Sequence, residues 1–189
     1  MRTLVWTAVL LMGSAAVARA QMPLLSGDAA LTYHWVHTNT PAGQCGCFDI
    51  NGGGLSASMH LILGFSAVGE FSSEQATNIL SSGKSLTLTT YLVGARYTLN
   101  RLWPKALHGP QPFVQALVGA GHAGGGIAAA GDGTSSFATR VGGGLDLPIA
   151  KHIAVRGQAD FFLTQFNNTT NNRQTNALIG GGLVYRWGK

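Results

Sequence analysis

Two cysteines separated by a single residue are the most reactive groups in this sequence, Cys45 and Cys47. In an oxidising compartment such thiols tend to pair, but a bridge across one residue closes a small, strained ring that is easily reduced. The two cysteines could form a loop-stiffening disulfide, two free thiols, a redox-active pair, or a metal site completed by His34 or His37. Two thiolates do not fill a tetrahedral zinc site. We therefore favour a loop disulfide or free thiols, and we predict no metal site and no cofactor.

Histidine and serine supply the other candidates for chemistry. The six histidines show no metal-ligand spacing: His34, His37, His60, His108, His122 and His152. His122 with Ser135 or Ser136 is the one combination of base and hydroxyl that suggests hydrolysis, and no nucleophile motif accompanies it. The glycine-rich run 119–133 lacks the Lys-Ser/Thr ending of a phosphate-binding loop. We predict that the protein is not an enzyme.

The N-terminus has the features of a secretory signal. Arg2 precedes an apolar run over residues 4–12, and small residues follow up to Ala18-Arg19-Ala20. The run is too short for a membrane anchor, which needs about 20 residues. We predict a signal peptide over residues 1–20, cleaved after Ala20, and one domain over residues 21–189. An uncleaved N-terminal membrane helix is the alternative.

Composition narrows the class of that domain. Only 10% of the residues are charged, against about a quarter in ordinary soluble domains. Every apolar stretch is interrupted within a few residues, which disfavours a membrane-spanning helix and suits strands that face lipid. Loss of Arg2 and Arg19 with the signal leaves ten Lys and Arg against seven Asp and Glu, a net charge of +3. Because these cations form no basic run, we predict no nucleic-acid partner.

Two-residue alternation of apolar and polar residues recurs along the chain, as in Leu55-Ser56-Ala57-Ser58-Met59-His60-Leu61. Successive side chains of a strand point to opposite faces, so this pattern predicts strands with one apolar and one polar face. We predict eight strands, at residues 28–38, 52–61, 63–73, 85–99, 112–124, 137–149, 153–166 and 175–187. Short turns near residues 62, 100–111 and 151 alternate with longer loops at 39–51, 74–84, 125–136 and 167–174. This arrangement is typical of transmembrane β-barrels.

The charged residues within these strands avoid the apolar face. A charge facing lipid near mid-bilayer costs about 2–4 kcal/mol. A soluble β-sandwich would show the same parity, but here aromatic residues cluster toward strand ends, where a membrane interface would lie. We predict these interfacial aromatics to be Tyr33, Trp35, Tyr91, Tyr97, Tyr185 and Trp187.

The interior of an eight-stranded barrel is only wide enough for side chains to fill. Four cations and three anions face it in the predicted strands, and charges in such a place must be paired. We therefore predict a plugged lumen with an ion-pair network of Glu70, Arg96, Arg140, Asp146, Arg156, Asp160 and Arg186.

The pattern resembles the eight-stranded outer-membrane β-barrel proteins, the OmpA-like or porin family, over the whole mature chain. The resemblance rests on residues 64–71 with the inward Glu70, on 92–97, on 112–119 and on the closing strand 180–187. It implies an all-β fold, an eight-stranded antiparallel up-and-down transmembrane β-barrel, located in the bacterial outer membrane. Members include structural barrels, adhesion or recognition surfaces and narrow pores.

The expected partners follow from that location. They are outer-membrane lipid and, during biogenesis, the barrel-insertion machinery to which the amphipathic last strand would be presented; an extracellular partner is not specified by the sequence. We expect a role in envelope structure or in surface recognition by the loops. The alternatives are a narrow small-solute pore and a soluble exported barrel that binds an apolar ligand.

Overall fold

A computed structural model of the chain describes residues 26–38, 48–77, 85–99, 109–125, 134–166 and 174–188. The predicted signal peptide, Cys45 and Cys47 lie outside these residues. The described residues form eight strands: β1 Gly27–Thr38, β2 Phe48–His60, β3 Phe65–Ala76, β4 Leu86–Thr98, β5 Gln111–Gly124, β6 Thr134–Ala150, β7 Ile153–Thr164 and β8 Gln174–Trp187. Within the described parts of the chain, no helix is long and apolar enough to cross a membrane.

The strands close into one antiparallel barrel in which each strand pairs with its neighbours in sequence and β8 pairs with β1. Gly27 illustrates the closure, because it lies opposite Met59 of β2 on one side and opposite Trp187 of β8 on the other. Closure leaves no unpaired strand edge that could recruit another chain. The predicted eight-stranded antiparallel barrel is confirmed.

The two ends of the barrel differ in their connections. The turn end carries the turns at 61–64 and 151–152, together with the start of β1 and the finish of β8. At the first of these turns Leu63 and Gly64 have φ angles of 55° and 90°. A Cβ on Gly64 would lie 2.8 Å from the carbonyl oxygen of Thr98, so glycine suits this position. The opposite end, from which the longer connections leave, is the loop end.

Several strands extend further toward the loop end than the sequence pattern predicts. Strand β2 begins at Phe48 instead of residue 52, β3 ends at Ala76 instead of residue 73, and β6 begins at Thr134 instead of residue 137. In β3 the polar run 72–75 remains in the ladder because both neighbouring strands pair with it. The predicted loops 39–51, 74–84 and 125–136 are therefore shorter than expected. Strand β6 also contains a register shift between Pro148 and Ala150.

Side chains alternate strictly between the wall and the lumen. In β7, Phe161 is 68% exposed on the wall, whereas the next residue, Phe162, is fully buried in the lumen. A single closed sheet has only its inside in which to bury a core. That core has an apolar part toward the loop end and a charged part toward the turn end. The apolar part comprises Val36, Ile50, Val68, Ala76, Leu88, Leu92, Leu117, Ala138, Phe162 and Leu178.

Candidate functional site

All seven residues predicted to face the lumen do so, and they come from five different strands. Six of them are buried and Arg186 is partly buried near the turn end. Their contacts divide them into two groups, one at the turn end and one at mid-height, with a third polar group near the loop end that the sequence did not predict. The lumen is the part of the described structure where charged groups converge, and it is the candidate site.

Asp146 organises the charges at the turn end. Arg156 binds its carboxylate in a two-pronged manner, with Nε 2.7 Å from Oδ1 and Nη2 2.9 Å from Oδ2. Arg186 donates a further hydrogen bond of 2.9 Å to Oδ2. Paired, planar contacts of this kind are the strongest that guanidinium and carboxylate groups make. One carboxylate on β6 thus fixes cations from β7 and β8.

Asp28 is a second acidic centre at the turn end, and it is absent from the ion-pair network predicted from the sequence. It lies 3.4 Å from Nη1 of Arg96 and 3.5 Å from Nη2 of Arg156, and it accepts a 2.6 Å hydrogen bond from Ser58. Asp28 is the first residue of the first predicted strand. Only the residues that follow it alternate, and this is too little to assign its side chain to a face. Its carboxylate joins the arginines of β4 and β7 across the lumen.

One aromatic ring, that of Phe113, contacts both of these arginines. The guanidinium carbons of Arg96 and Arg156 lie 4.7 Å and 4.9 Å from the centre of the Phe113 ring. The ring faces attract cations, and this attraction is stronger where water is excluded. Arg96 also donates from Nε and Nη2 to the side-chain oxygen of Gln115, at 3.2 Å and 3.0 Å. The arginines are therefore held by stacking and by neutral acceptors as well as by carboxylates.

At mid-height, Glu70 and Arg140 form a buried ion pair, with the guanidinium carbon of Arg140 5.1 Å from the centre of the Phe162 ring. Asp160, which we expected in an ion pair, instead accepts hydrogen bonds from the amide groups of Gln115 and Gln158, at 3.2 Å each for the shorter contacts. Asp160 therefore belongs to the lumen through hydrogen bonds rather than through an arginine contact.

A buried histidine–carboxylate pair near the loop end is also absent from the sequence prediction. His34 Nδ1 lies 2.8 Å from Oε1 of Glu74, and both side chains are fully buried. The other ring nitrogen lies 2.8 Å from the hydroxyl of Thr32. Space for the ring is provided by glycine, because a Cβ on Gly54 would lie 2.6 Å from its Cε1 atom. The sequence pattern predicts Glu74 to lie in a loop, and for that reason it does not indicate this pair.

These additions change the charge balance of the lumen. The sequence predicts four cations against three anions. In the described residues the same four arginines face five carboxylates, those of Asp28, Glu70, Glu74, Asp146 and Asp160. The excess of positive charge disappears when the missed residues are included. Near-complete compensation is what a narrow, poorly hydrated interior requires.

The six predicted interfacial aromatics all lie on the outer wall, at differing heights. Trp35 lies toward the loop end of β1, and Tyr97, Tyr185 and Trp187 lie near the turn end. Tyr33 and Tyr91, about 60% and 59% exposed, lie close to the middle of their strands instead. Four of the six aromatic residues thus lie near strand ends, as an interfacial girdle requires, and Tyr33 and Tyr91 do not.

The remaining candidates for chemistry are less well assembled. His122 Nδ1 lies 3.1 Å from the hydroxyl of Ser135, in an exposed pair at the loop end. Among the described residues no carboxylate orients the His122 ring. Cys45 and Cys47 lie outside the described residues, and within those residues no group of three or more His, Cys, Asp or Glu side chains could hold a metal ion.

No protein-family model matches this chain, and no curated protein matches it either. Solved structures do. Neisserial surface protein A has a TM-score of 0.64 at 11% identity, covering 86% of this chain and 97% of its own. Ail, the attachment invasion locus protein of Yersinia pestis, has a TM-score of 0.58 at 13% identity, covering 86% and 99%.

The N-terminal β-barrel domain of Pseudomonas aeruginosa OprF has a TM-score of 0.51 at 12% identity, covering 85% of this chain and 99% of its own. At such low identities the likeness establishes the fold. The chain has the fold of the eight-stranded outer-membrane β-barrels, as the resemblance in sequence pattern implies.

Proposed function

We propose that this protein is an integral β-barrel of the bacterial outer membrane with a plugged lumen, and that it acts in envelope structure or in surface recognition through its loops. The observation that carries the proposal is the distribution of charge. Among the described residues, the exposed charged side chains are Asp49, near the loop end of β2, and Lys151, in a turn. In the described strands, the outer wall between the height of Asp49 and the height of Lys151 carries no exposed charge.

The same wall is covered by large apolar side chains. Leu31, Val93, Phe161 and Leu183 are between 57% and 68% exposed, and they come from four strands around the barrel. Soluble monomers seldom expose an apolar patch of more than a few hundred Å². A continuous apolar belt on a closed barrel is stable where hydrocarbon replaces water. The apolar belt therefore favours a barrel in the membrane over the alternative of a soluble exported barrel.

The filling of the lumen supports a plug rather than a pore. At the turn end the arginine–carboxylate cluster crosses the interior from Asp28 of β1 to Arg96 of β4, and it also includes charged residues of β6, β7 and β8. Toward the loop end Ile50, Leu92, Leu117 and Leu178 are at most 1% exposed. An ion would have to displace both layers, and the apolar layer offers it no ligands. We expect planar-bilayer recordings to show no conductance steps; regular steps would favour the narrow-pore alternative.

The location implies the partners of the protein. Outer-membrane lipid would contact the apolar wall, and the barrel-insertion machinery would meet the chain during assembly. Two of the similar structures carry names that refer to a surface protein and to attachment. By analogy with these proteins, the proposal for this chain includes recognition of an extracellular partner by its loops.

A pair of substitutions on one strand separates the membrane proposal from the soluble alternative. Leu183→Arg places a charge on the wall of β8, opposite Leu31 of β1 and Val155 of β7. Thr175→Arg places the same charge on the same face, eight residues nearer the loop end, about 26 Å along the strand.

During folding into lipid vesicles, Leu183→Arg should lower the free energy of unfolding by about 2–4 kcal/mol, and Thr175→Arg by at most about 1 kcal/mol. Urea titration of the vesicle-bound protein gives both values. Equal, near-zero effects of the two substitutions would contradict the membrane proposal, because a water-facing wall tolerates arginine at either height.

A further inference from the structure

The turn between β2 and β3 is apolar to its tip. Leu61, Ile62 and Leu63 are 59%, 73% and 65% exposed, and Leu61 continues the wall-facing series of Leu55 and Met59 in β2. Turns between strands usually carry Gly, Asn, Asp, Ser or Pro, which suit both the backbone and water. Here three consecutive large apolar side chains extend the apolar wall beyond the end of the strands.

The backbone of this turn favours a different residue at position 63. The N–H of Phe65 donates to the carbonyl oxygen of Ile62, and the two residues between them, Leu63 and Gly64, have φ angles of 55° and 90°. Two positive φ angles are characteristic of a type I′ turn, whose first central position is usually Asn, Asp or Gly. Leucine is strained in this left-handed region. The strained leucine gains nothing from water, but contact with an apolar phase would offset its cost.

The other described turn at the same end of the barrel has the opposite character. Turn 151–152 joins β6 to β7 and carries the exposed Lys151. A lysine at a membrane edge keeps its ammonium group in water while its aliphatic stem lies along apolar surface. The β2–β3 and β6–β7 hairpins are four strands apart in a closed barrel of eight strands, so the apolar turn and the charged turn lie on opposite sides.

The outer wall at the loop end shows a matching asymmetry. Rows of paired residues climb around the barrel, because the row that starts at Gly27 of β1 returns to β1 at His37 after one circuit. Ser73 of β3 and Ser135 of β6 belong to one such row, at which the wall changes from apolar to polar. Since the row climbs from β3 to β6, the wall of β3 becomes polar nearer the turn end than the wall of β6 does.

We propose that the apolar turn, residues 61–64, enters the lipid, and that the barrel is seated at an angle with this turn deeper in the bilayer than turn 151–152. The tilt brings both edges of the apolar wall into the plane of the bilayer, because on the side of β3 that wall reaches the turn tip at one end and stops early at the other. Lipid fits better than a protein partner, since the turn continues the lipid-facing wall of β2 and its four side chains include no charged or hydrogen-bonding group. The tilt depends on the proposed membrane location, and the experiment separates the two.

The test is the depth of nitroxide spin labels on the whole barrel in phospholipid vesicles. Electron paramagnetic resonance power saturation compares access of oxygen, which partitions into lipid, with access of a neutral nickel chelate, which stays in water. The labels are attached through Ile62→Cys, Lys151→Cys and Val93→Cys, in a background with serine at positions 45 and 47. Val93 is 64% exposed on the wall of β4 and reports whether the barrel is in the bilayer.

We expect the ratio of oxygen access to nickel access to be high at position 93 and several-fold higher at position 62 than at position 151. Equal ratios at positions 62 and 151, with position 93 in lipid, would overturn the tilt and leave the membrane location standing. High nickel access at all three positions would overturn both. Low access of both reagents at position 62 alone would indicate contact with a second copy of the chain and would also overturn the proposal.

Leu63→Asn gives a second test whose sign depends on the surroundings of the turn. Asparagine is the better residue for a type I′ backbone, so in a turn exposed to water the substitution should raise the urea midpoint of the vesicle-bound barrel. In lipid, loss of the contact between leucine and hydrocarbon should lower that midpoint, and this is the result we expect. An unchanged or raised midpoint would overturn the proposal.

Discussion

Replacing Glu70 by Gln removes the charge partner of a fully buried arginine at the centre of the barrel. Arg140 is 0% exposed and its guanidinium packs over Phe162, so no water is available to replace the lost carboxylate. Breaking a buried ion pair from one side costs about 3–5 kcal/mol, because the remaining charge stays desolvated. With an m-value of about 1–3 kcal/mol/M in urea, the midpoint of unfolding should fall by about 1 M or more.

The assay is urea titration of the vesicle-inserted barrel, with the compact and unfolded forms separated by gel mobility. The double variant Glu70→Gln with Arg140→Met removes both charges, and we expect it to be more stable than Glu70→Gln alone. The exposed pair of His37 and Asp49, 48% and 44% exposed, provides the control. Asp49→Asn should cost less than about 1 kcal/mol. A loss below about 1 kcal/mol for Glu70→Gln, equal to that of the control, would refute the view of the lumen as a dry ion-paired core.

Three further predictions follow from the packing of the barrel. Gly54→Ala places a Cβ 2.6 Å from the ring of His34 and should cost about 1–3 kcal/mol in urea unfolding, whereas Gly69→Ala, which meets nothing within 4 Å, should be neutral or slightly stabilising. Phe162→Ala should cost about 3–5 kcal/mol because it opens a cavity in the lumen, and the adjacent wall substitution Phe161→Ala should cost clearly less; equal losses would argue against a filled core. Removal of the Glu70–Arg140 charges should not create conductance in planar bilayers, because the apolar layer remains; conductance in that variant would show that the ion pair alone closes the lumen.

Alternation in the sequence was sufficient to predict which faces the strand charges occupy. Arg156 and Asp160 in β7 share a parity opposite to Ile153 and Val155, and the structure places both in the lumen. The physical reason is the cost of a charge in hydrocarbon, which leaves only one face for it. Parity gives the face of a residue but not its partner, so it could not show that Asp160 contacts glutamines rather than an arginine.

The apolar half of the lumen was not predicted, because alternation assumes that only one face is apolar. The strands that line it contain adjacent apolar residues, such as Leu92-Val93 and Leu178-Ile179, in which the first faces the lumen and the second the wall. Adjacent apolar pairs are the pattern expected of strands buried on both faces. They were the available signal that the core is apolar near the loop end.

Residues at strand ends were the other place where the sequence did not predict which side chains are buried. Asp28 is the first residue of the first predicted strand, and Glu74 follows directly after the third, so the alternation assigns neither of them firmly to a face. Both are nevertheless buried, Glu74 against His34 and Asp28 between two arginines. Their burial depends on strands extending beyond the apolar pattern and on the stagger between neighbouring strands, which only the closed barrel determines.

The most direct test of the central claim is the gel mobility of the membrane fraction that remains after carbonate extraction, run with and without boiling. A closed barrel held in the bilayer predicts that the protein stays in the membrane pellet and migrates as a compact band that shifts on boiling. Release into the supernatant, or one band of unchanged mobility, would contradict the account.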